Sequence, residues 1–373
     1  MPNLRAINLS DNAMGLKGIS ACGPLFTASR ATLSSLSMCN DGLSHQSMGE
    51  VADLLCAEPA IQLEKLHFFN NMSGDVGCEH FKRILMTQTV PNKMTDLRFS
   101  GTRVSSAGSA HIAEALSSLN SLFGASLRFL DLNDNTFSSA GATLASAFSA
   151  GFGKDLIELN LGECSMGDDT AKAICGALIK GGAGTLTKLE LSGNELTIQS
   201  MKKVGKLASK NKALKTFGLS DNELSSGGIV ALVDSGLKAC SALQEIKINS
   251  SEVGDRGGNA LALAAGAWSE LKRVELDGNM FTTEISEKLV EAFGEMLPEM
   301  EDNDEDGADG DSDDEEIDDD DDDEEEEVAE EEENGKERDK EKDKDKEEAD
   351  EGKAIVAAVD VDSLTAAMGG TKV

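Results

Sequence analysis

The chain has 373 residues and a formal net charge of -35, but the acidity is unevenly spread. Residues 1–300 carry 33 Asp/Glu against 26 Lys/Arg, whereas residues 301–353 carry 34 against 7. A polyanion of this kind is repelled by nucleic acid and by anionic membranes, which excludes both as direct partners and favours basic protein surfaces. Seven cysteines without a CxxC pair point to a reducing compartment and against a disulfide framework or a zinc site. No basic-then-apolar leader follows Met1, and no window approaches 18 apolar residues, so no secretory signal or membrane insertion is expected.

In chain order, one spacing recurs. LRFLDLNDNTF (Leu127 to Phe137) places Leu127, Leu130, Leu132 and Asn135 in a register repeated from Leu4, Leu33, Leu63, Met94, Leu156, Leu186, Leu214, Leu243 and Leu271. Alternating apolar residues on a short strand point to one face, and the polar residue at the Asn135 position closes a turn by bonding neighbouring backbone. That position reads Asn12, Asp41, Asn71, Thr102, Asn135, Cys164, Asn194, Asn222, Ser251 and Asn279. Six residues later a small residue recurs (Gly18, Ser47, Gly77, Gly108, Gly141), where a helix start must pack closely. Helical spacing follows, as in Leu144 with Phe148 and Ile174 with Leu178.

Strand plus helix in each unit predicts an α/β fold: a leucine-rich repeat solenoid, ribonuclease-inhibitor-like, with parallel strands inside a horseshoe and helices outside. The expected organisation is about ten repeats over residues 1–300, a disordered acidic region over 301–353 and a short C-terminal segment over 354–373. ISEKLVEAFGEML, ending at Pro298, reads as a capping helix. At the other end the first repeat begins almost at Met1 with no polar cap over Leu4, Ile7 and Leu9, so upstream sequence is expected. Ser312, followed by three acidic residues, suits an acid-directed kinase, and the mildly apolar AIVAAVDVDSLTAAMGG reads as a terminus without structure of its own.

No Walker loop, HExxH, GxSxG or dinucleotide fingerprint appears. His45, His67, His80 and His111 lie in separate repeats without metal-ligand spacing, and Cys78 and His80, two apart on a helix, point to different sides. No cofactor, no metal and no self-contained enzyme are expected. The remaining chemistry is a row of polar residues at the strand ends: Asn40 before Asp41, Asn70 before Asn71, and Arg103 after Thr102. The ladder residue in each pair serves the turn, and its neighbour is free to project from the rim.

LSDNAMGLKG (Leu9 to Gly18), MCNDGLS (Met38 to Ser44), FFNNMSGDVG (Phe68 to Gly77), GTRVSSAG (Gly101 to Gly108) and LDLNDNTFSSAG (Leu130 to Gly141) together resemble the Ran GTPase-activating proteins, particularly the plant type. The resemblance covers most of residues 4–300 in consistent repeat order and includes an acidic run after the last repeat. It implies activation of GTP hydrolysis on Ran-GTP without an arginine finger. An asparagine at a strand end would hold Ran's catalytic glutamine on the attacking water; by repeat order this is Asn40, with Asn70 as second choice. Partner-binding residues are expected at Asp41, Asn71, Arg103 and Asp134, with a Ran-binding protein or transport factors drawn to the acidic tail. The implied location is cytoplasmic, with the nuclear envelope as an alternative. The plant-type N-terminal targeting domain and one or more initial repeats are absent from the resemblance. The competing expectation is a non-catalytic acidic scaffold, similar to the acidic leucine-rich nuclear phosphoproteins that bind histones; its shorter repeats speak against it. A clamp similar to ribonuclease inhibitor is a third, weakened by the small number of cysteines.

Overall fold

A computed structural model describes residues 4–88, 93–123 and 127–304, with backbone only for 119–123. The chain divides into two units, Met1–Ile317 and Asp318–Val373. The acidic region beyond residue 304, Ser312 and the segment 354–373 lie outside the described residues.

Ten strands form one parallel sheet in sequence order. They are β1 (Ala6–Asn8), β2 (Ser35–Ser37), β3 (Lys65–Phe69), β4 (Asp96–Ser100), β5 (Phe129–Asp131), β6 (Glu158–Asn160), β7 (Lys188–Glu190), β8 (Thr216–Gly218), β9 (Glu245–Lys247) and β10 (Arg273–Glu275). Helices return each strand to the next: α1 (Gly15–Ala21) and α2 (Gly23–Ser29) in the first repeat, then α3 (His45–Cys56), α4 (Gly74–Met86), α5 (Ser106–Phe123), α6 (Gly141–Ser149), α7 (Gly167–Lys180), α8 (Ile198–Lys210), α9 (Ser225–Ser235), α10 (Asp255–Ala264) and α11 (Thr283–Phe293). This is the leucine-rich repeat solenoid that the spacing predicts. The strand register aligns Ile7, Leu36, Leu66, Leu97, Leu130, Leu159, Leu189, Phe217, Ile246 and Val274 in one buried rung. Alternation sends their neighbours, such as His67, Arg98, Asp131 and Glu190, to the other face of the sheet. A short period-2 strand and a 3.6-period helix thus share one core between them, and each repeat completes the core of the next.

The small residues six places after the ladder position do what their size permits. A Cβ at Gly141 would collide with Thr170, the residue of the same register in the following repeat, and one at Gly257 would meet Val253 and the Cα of Ser226. Helix starts of adjacent repeats therefore touch through these positions. Three junctions carry a carboxylate clasp: Asp75 accepts from the N–H and hydroxyl of Ser105 (2.8 and 2.6 Å), Asp168 from those of Thr197 (3.0 and 2.7 Å), and Asp255 from those of Thr282 (2.8 and 2.8 Å).

The ladder satisfies the backbone where the strands end. Asn194, fully buried, accepts from the N–H of Cys164 (3.0 Å) and donates to the carbonyls of Leu161 and Leu191 (2.8 and 2.9 Å). Asn222 and Asn279 repeat the arrangement one or more repeats on. Backbone bonding continues past Met300 among the described residues. Asn303 accepts from the N–H of Phe281 (2.9 Å) and donates to its carbonyl (2.7 Å), and Asp304 N–H bonds Asn279 O (2.8 Å). With Asp302 N–H on Asp277 Oδ1 (2.8 Å), three residues of the acidic stretch thereby bond the tenth repeat, whose backbone groups meet no further strand among the described residues. Asn194→Ala leaves the buried Cys164 N–H and Leu161 O unpaired, while Leu191 O keeps Asn222 Nδ2 (3.3 Å), and is expected to cost about 3 kcal/mol, measured as a lowered urea midpoint with an unchanged m-value.

Candidate functional site

The residue just before each ladder position adopts the left-handed backbone conformation: Asp11 (φ 67°), Asn40 (57°), Asn70 (51°), Gly101 (58°), Asp134 (54°), Glu163 (52°), Gly193 (65°), Asp221 (56°), Ser250 (48°) and Gly278 (69°). Asn, Asp and Gly dominate because they tolerate this region with the least steric cost. The conformation lets the backbone N–H of each but Gly278 bond a carbonyl of the next repeat, as in Asp11 to Cys39 (2.9 Å), Asn40 to Phe69 (3.1 Å) and Asn70 to Ser100 (2.9 Å). With the backbone so occupied, the side chains of Asp11, Asn40, Asn70, Asp134, Glu163 and Asp221 stand exposed in a row along the rim.

Three members of that row are hydrogen-bonded to one another. Asn40 Nδ2 donates to Asp11 Oδ1 (2.9 Å), and Asn70 Nδ2 donates to Asn40 Oδ1 (2.7 Å). Gly101 comes next and leaves a gap: a Cβ there would lie 3.4 Å from the Asn70 nitrogen and 3.5 Å from Asp134 Oδ2. The Asp134 carboxylate therefore leans over Gly101 towards Asn70. Further along, the Glu163 carboxylate fills the space over Gly193, and partial burial pushes its pKa up, helped by the nearby charges of Asp221 and Asp134. Arg103 is exposed and also left-handed (φ 59°), but it follows the ladder residue and belongs to a second row with Ala13, Gly42, Ser165, Glu195 and Glu252. Beside these rows Met72 and Val76 leave about half their surface open, 51% and 47%. The rim of the first four repeats thus pairs an amide relay with apolar contact area.

Two of the expected partner-binding residues require correction. Asp41 and Asn71 are 1% and 2% exposed. Asn71 accepts from the N–H groups of Asp41 and Leu43 (3.3 and 3.1 Å) and donates to Met38 O (2.8 Å), so its side chain is consumed by the ladder. Asp41 Oδ1 accepts from Asn12 N–H (2.9 Å), and no rim surface remains on either side chain. Asn40, Asn70, Arg103 and Asp134 stand at the rim as expected. Asp11 is the residue that sequence reasoning missed; its signal was the same offset, one before Asn12.

A second polar cluster lies on the strand face below Asn70. His67 Nε2 is 2.9 Å from Asp96 Oδ2, and Arg98 Nε is 3.0 Å from Asp96 Oδ1. Burial pushes the Asp96 carboxyl up, but His67 and Arg98 outweigh it and hold the group below the usual carboxylate range. The thiols behave oppositely. Burial raises Cys164 and Cys175 to about 12 and Cys240 to about 11, so these remain protonated and unreactive at neutral pH. Among the described residues no group of three or more His, Cys, Asp or Glu side chains is arranged to hold a metal ion, and no helix is long and apolar enough to cross a membrane.

A leucine-rich repeat family profile matches residues 1–21. Over 140 residues, 37% of this chain, the sequence is 32% identical to RAN GTPase-activating protein 2 of Arabidopsis thaliana, covering 26% of that protein. Over 308 residues, 75% of this chain, it is 25% identical to ribonuclease inhibitor of Sus scrofa, covering 65% of it. Both matches thus span less than two thirds of the relatives' own length. Among solved structures, an internalin from Listeria monocytogenes is similar over 80% of this chain and 83% of its own, at 12% identity and a TM-score of 0.46.

Within the ladder, Asp41 is the one misfit. Its Oδ2 is buried without a hydrogen-bond partner, where an asparagine would place an N–H donor. Burial pushes its pKa up, Asn12 N–H opposes this, and the Asp11 charge adds to it. The folded protein therefore holds the Asp41 proton more tightly than the unfolded chain, and that stabilisation disappears as pH rises through the folded pKa. Asp41→Asn is expected to stabilise by about 1 kcal/mol at neutral pH, with the gain shrinking as pH falls towards the ordinary carboxylate range, measured by urea unfolding across pH 4–8.

Proposed function

We propose that this chain activates GTP hydrolysis on Ran through the rim of its first four repeats, with Asn40 holding the catalytic glutamine of the GTPase. The observation that carries the reading is the exposed Asn40 amide, held from both sides at a strand end. It stands in a segment that resembles Ran GTPase-activating proteins, and the partial similarity to the Arabidopsis protein supports the same partner. In this reading the protein contributes no reacting atom. A second amide held against the partner's glutamine restricts its rotation, so that the attacking water waits in line with the γ-phosphate, and positioning of this kind lowers the barrier by removing orientational freedom beforehand. Arg103 and Asp134 would meet complementary charge on the GTPase, and Met72 and Val76 supply apolar area. The acidic region after residue 300 adds long-range attraction towards basic surfaces of Ran or of transport factors, consistent with a cytoplasmic site of action.

A second reading, a non-catalytic clamp on a protein partner, is favoured by the longer span of the ribonuclease inhibitor similarity. Single-turnover GTP hydrolysis by Ran separates the two. Sub-stoichiometric full-length chain is expected to accelerate hydrolysis, and Asn40→Gly, which keeps the left-handed turn unstrained, to reduce that acceleration roughly a hundredfold. Its stability is expected to change by no more than about 0.5 kcal/mol. Tight Ran binding without acceleration by the parent chain would establish the clamp instead.

A further inference from the structure

We infer that Asp11 is the positioning residue of the rim: it fixes which end of the Asn40 amide faces which neighbour, and so which hydrogen bonds Asn40 offers a partner. The inference rests on the function proposed above for the Asn40 site and adds to it a residue and an orientation.

The geometry carries it in three steps. A carboxylate only accepts hydrogen bonds, so the 2.9 Å contact between Asn40 and Asp11 Oδ1 requires the amino end of the Asn40 amide to face Asp11. The carbonyl end is thereby turned to the third repeat, where Asn70 Nδ2 donates to it at 2.7 Å. The relay has a direction, set at one end by the only member of the three that cannot donate. Without Asp11, the Asn40 amide flanked by Asn70 alone is satisfied in either orientation, because Asn70 carries both a donor and an acceptor.

What remains open on Asn40 then follows from its inventory. Nδ2 has two N–H groups and one is used; Oδ1 has two lone pairs and one is used. The amide presents one N–H on the side of the first repeat and one lone pair on the side of the third. That pattern is complementary to another primary amide, which pairs with it through two hydrogen bonds in one orientation only. A glutamine on the partner has this chemistry, and its own carbonyl end is then directed towards the first repeat. Flipping Asn40 reverses the pattern and turns the partner's amide around with it.

The left-handed conformation of Asp11 (φ 67°) dictates the test variants. Asp11→Gly removes the acceptor without backbone strain, and Asp11→Asn tolerates the same conformation and restores an acceptor oxygen. The first readout needs no partner. In the full-length chain, the side-chain amide signal lost in Asn40→Gly identifies Asn40, and its hydrogen exchange is expected to accelerate roughly tenfold in Asp11→Gly and to return to the parent rate in Asp11→Asn. The second readout is turnover with GTP-loaded Ran. Asp11→Gly is expected to lower kcat about tenfold with KM within about twofold of the parent, as for a group acting only on the geometry of the reacting complex, and Asp11→Asn to recover only a minor part of the loss, because an amide there re-forms the contact but allows either orientation of Asn40. Unchanged amide exchange in Asp11→Gly overturns the inference. So does parent-like kcat in Asp11→Gly where Asn40→Gly is impaired, or a change confined to KM, which would make Asp11 a simple contact. If Asn40→Gly itself turns over like the parent, the proposed function fails, and the amide exchange alone decides whether Asp11 holds Asn40.

Discussion

Stacked strands leave a column of backbone N–H and C=O groups where each chain segment turns away, and water has no access to them once the next repeat is in place. The buried amide ladder answers this constraint. One side chain per repeat supplies both a donor and an acceptor, so Asn194, Asn222 and Asn279 bond backward to the preceding repeat and inward to their own turn. Where the ladder residue is not asparagine, a neighbour compensates. Thr102 donates to Asn135 Oδ1, and Asn135 reaches back to Phe99 O at 2.7 Å; Ser251 bonds Leu219 O and Asn249 O with its hydroxyl. The rim exists because of this column. Closing the turn on the ladder forces the preceding residue into the left-handed region and pushes its side chain outward.

Structure and chemistry are therefore separated by a single residue. Asn70 and Asn71 are identical in type, yet one is exposed and linked to Asn40 while the other is buried and bonded to backbone. The repeating register made this separation legible before any coordinates: the ten ladder positions, the buried strand leucines and the projecting Asn40 and Asn70 all follow from counting. What counting does not reveal is how side chains in neighbouring repeats lean. The Asp11 contact with Asn40 joins residues 29 apart, and the Asp134 carboxylate over Gly101 depends on a missing Cβ. The assignment of Asp41 and Asn71 to a partner failed for a related reason. Polarity alone does not distinguish a residue facing water from one facing backbone. The part played by Asn303 was hidden because it stands as a backbone-bonding amide inside an otherwise acidic run.

Charge is arranged differently on the two surfaces near the site. On the strand face, the Asp96 carboxylate is paired with the Arg98 guanidinium and in contact with His67, so it has little field to offer a partner. Along the rim beyond Gly101, Asp134, Glu163 and Asp221 reinforce one another's field, and the charges of Asp221 and Asp134 add to the burial that raises the Glu163 pKa. The polar but uncharged segment at Asn40 and Asn70 lies between Asp11 and this acidic run. A neutral amide there can pair with another neutral amide without paying to desolvate a full charge, while the flanking carboxylates orient a partner from a distance.

The clasps of Asp75 on Ser105, Asp168 on Thr197 and Asp255 on Thr282 fall at every third junction, and the rim glycines Gly101, Gly193 and Gly278 fall in the repeats that receive them. The count does not extend to the first repeat, whose rim residue is Asp11, and the position of the clasp carboxylates is also used at other junctions, where Ser106 accepts from Ser139 N–H (3.1 Å) and Ser226 from Gly254 N–H (3.0 Å). The single repeat is therefore the unit, and its junctions are graded: a carboxylate four places after the ladder residue holds both an N–H and a hydroxyl of the next repeat, and a serine at Ser226 holds backbone N–H groups alone.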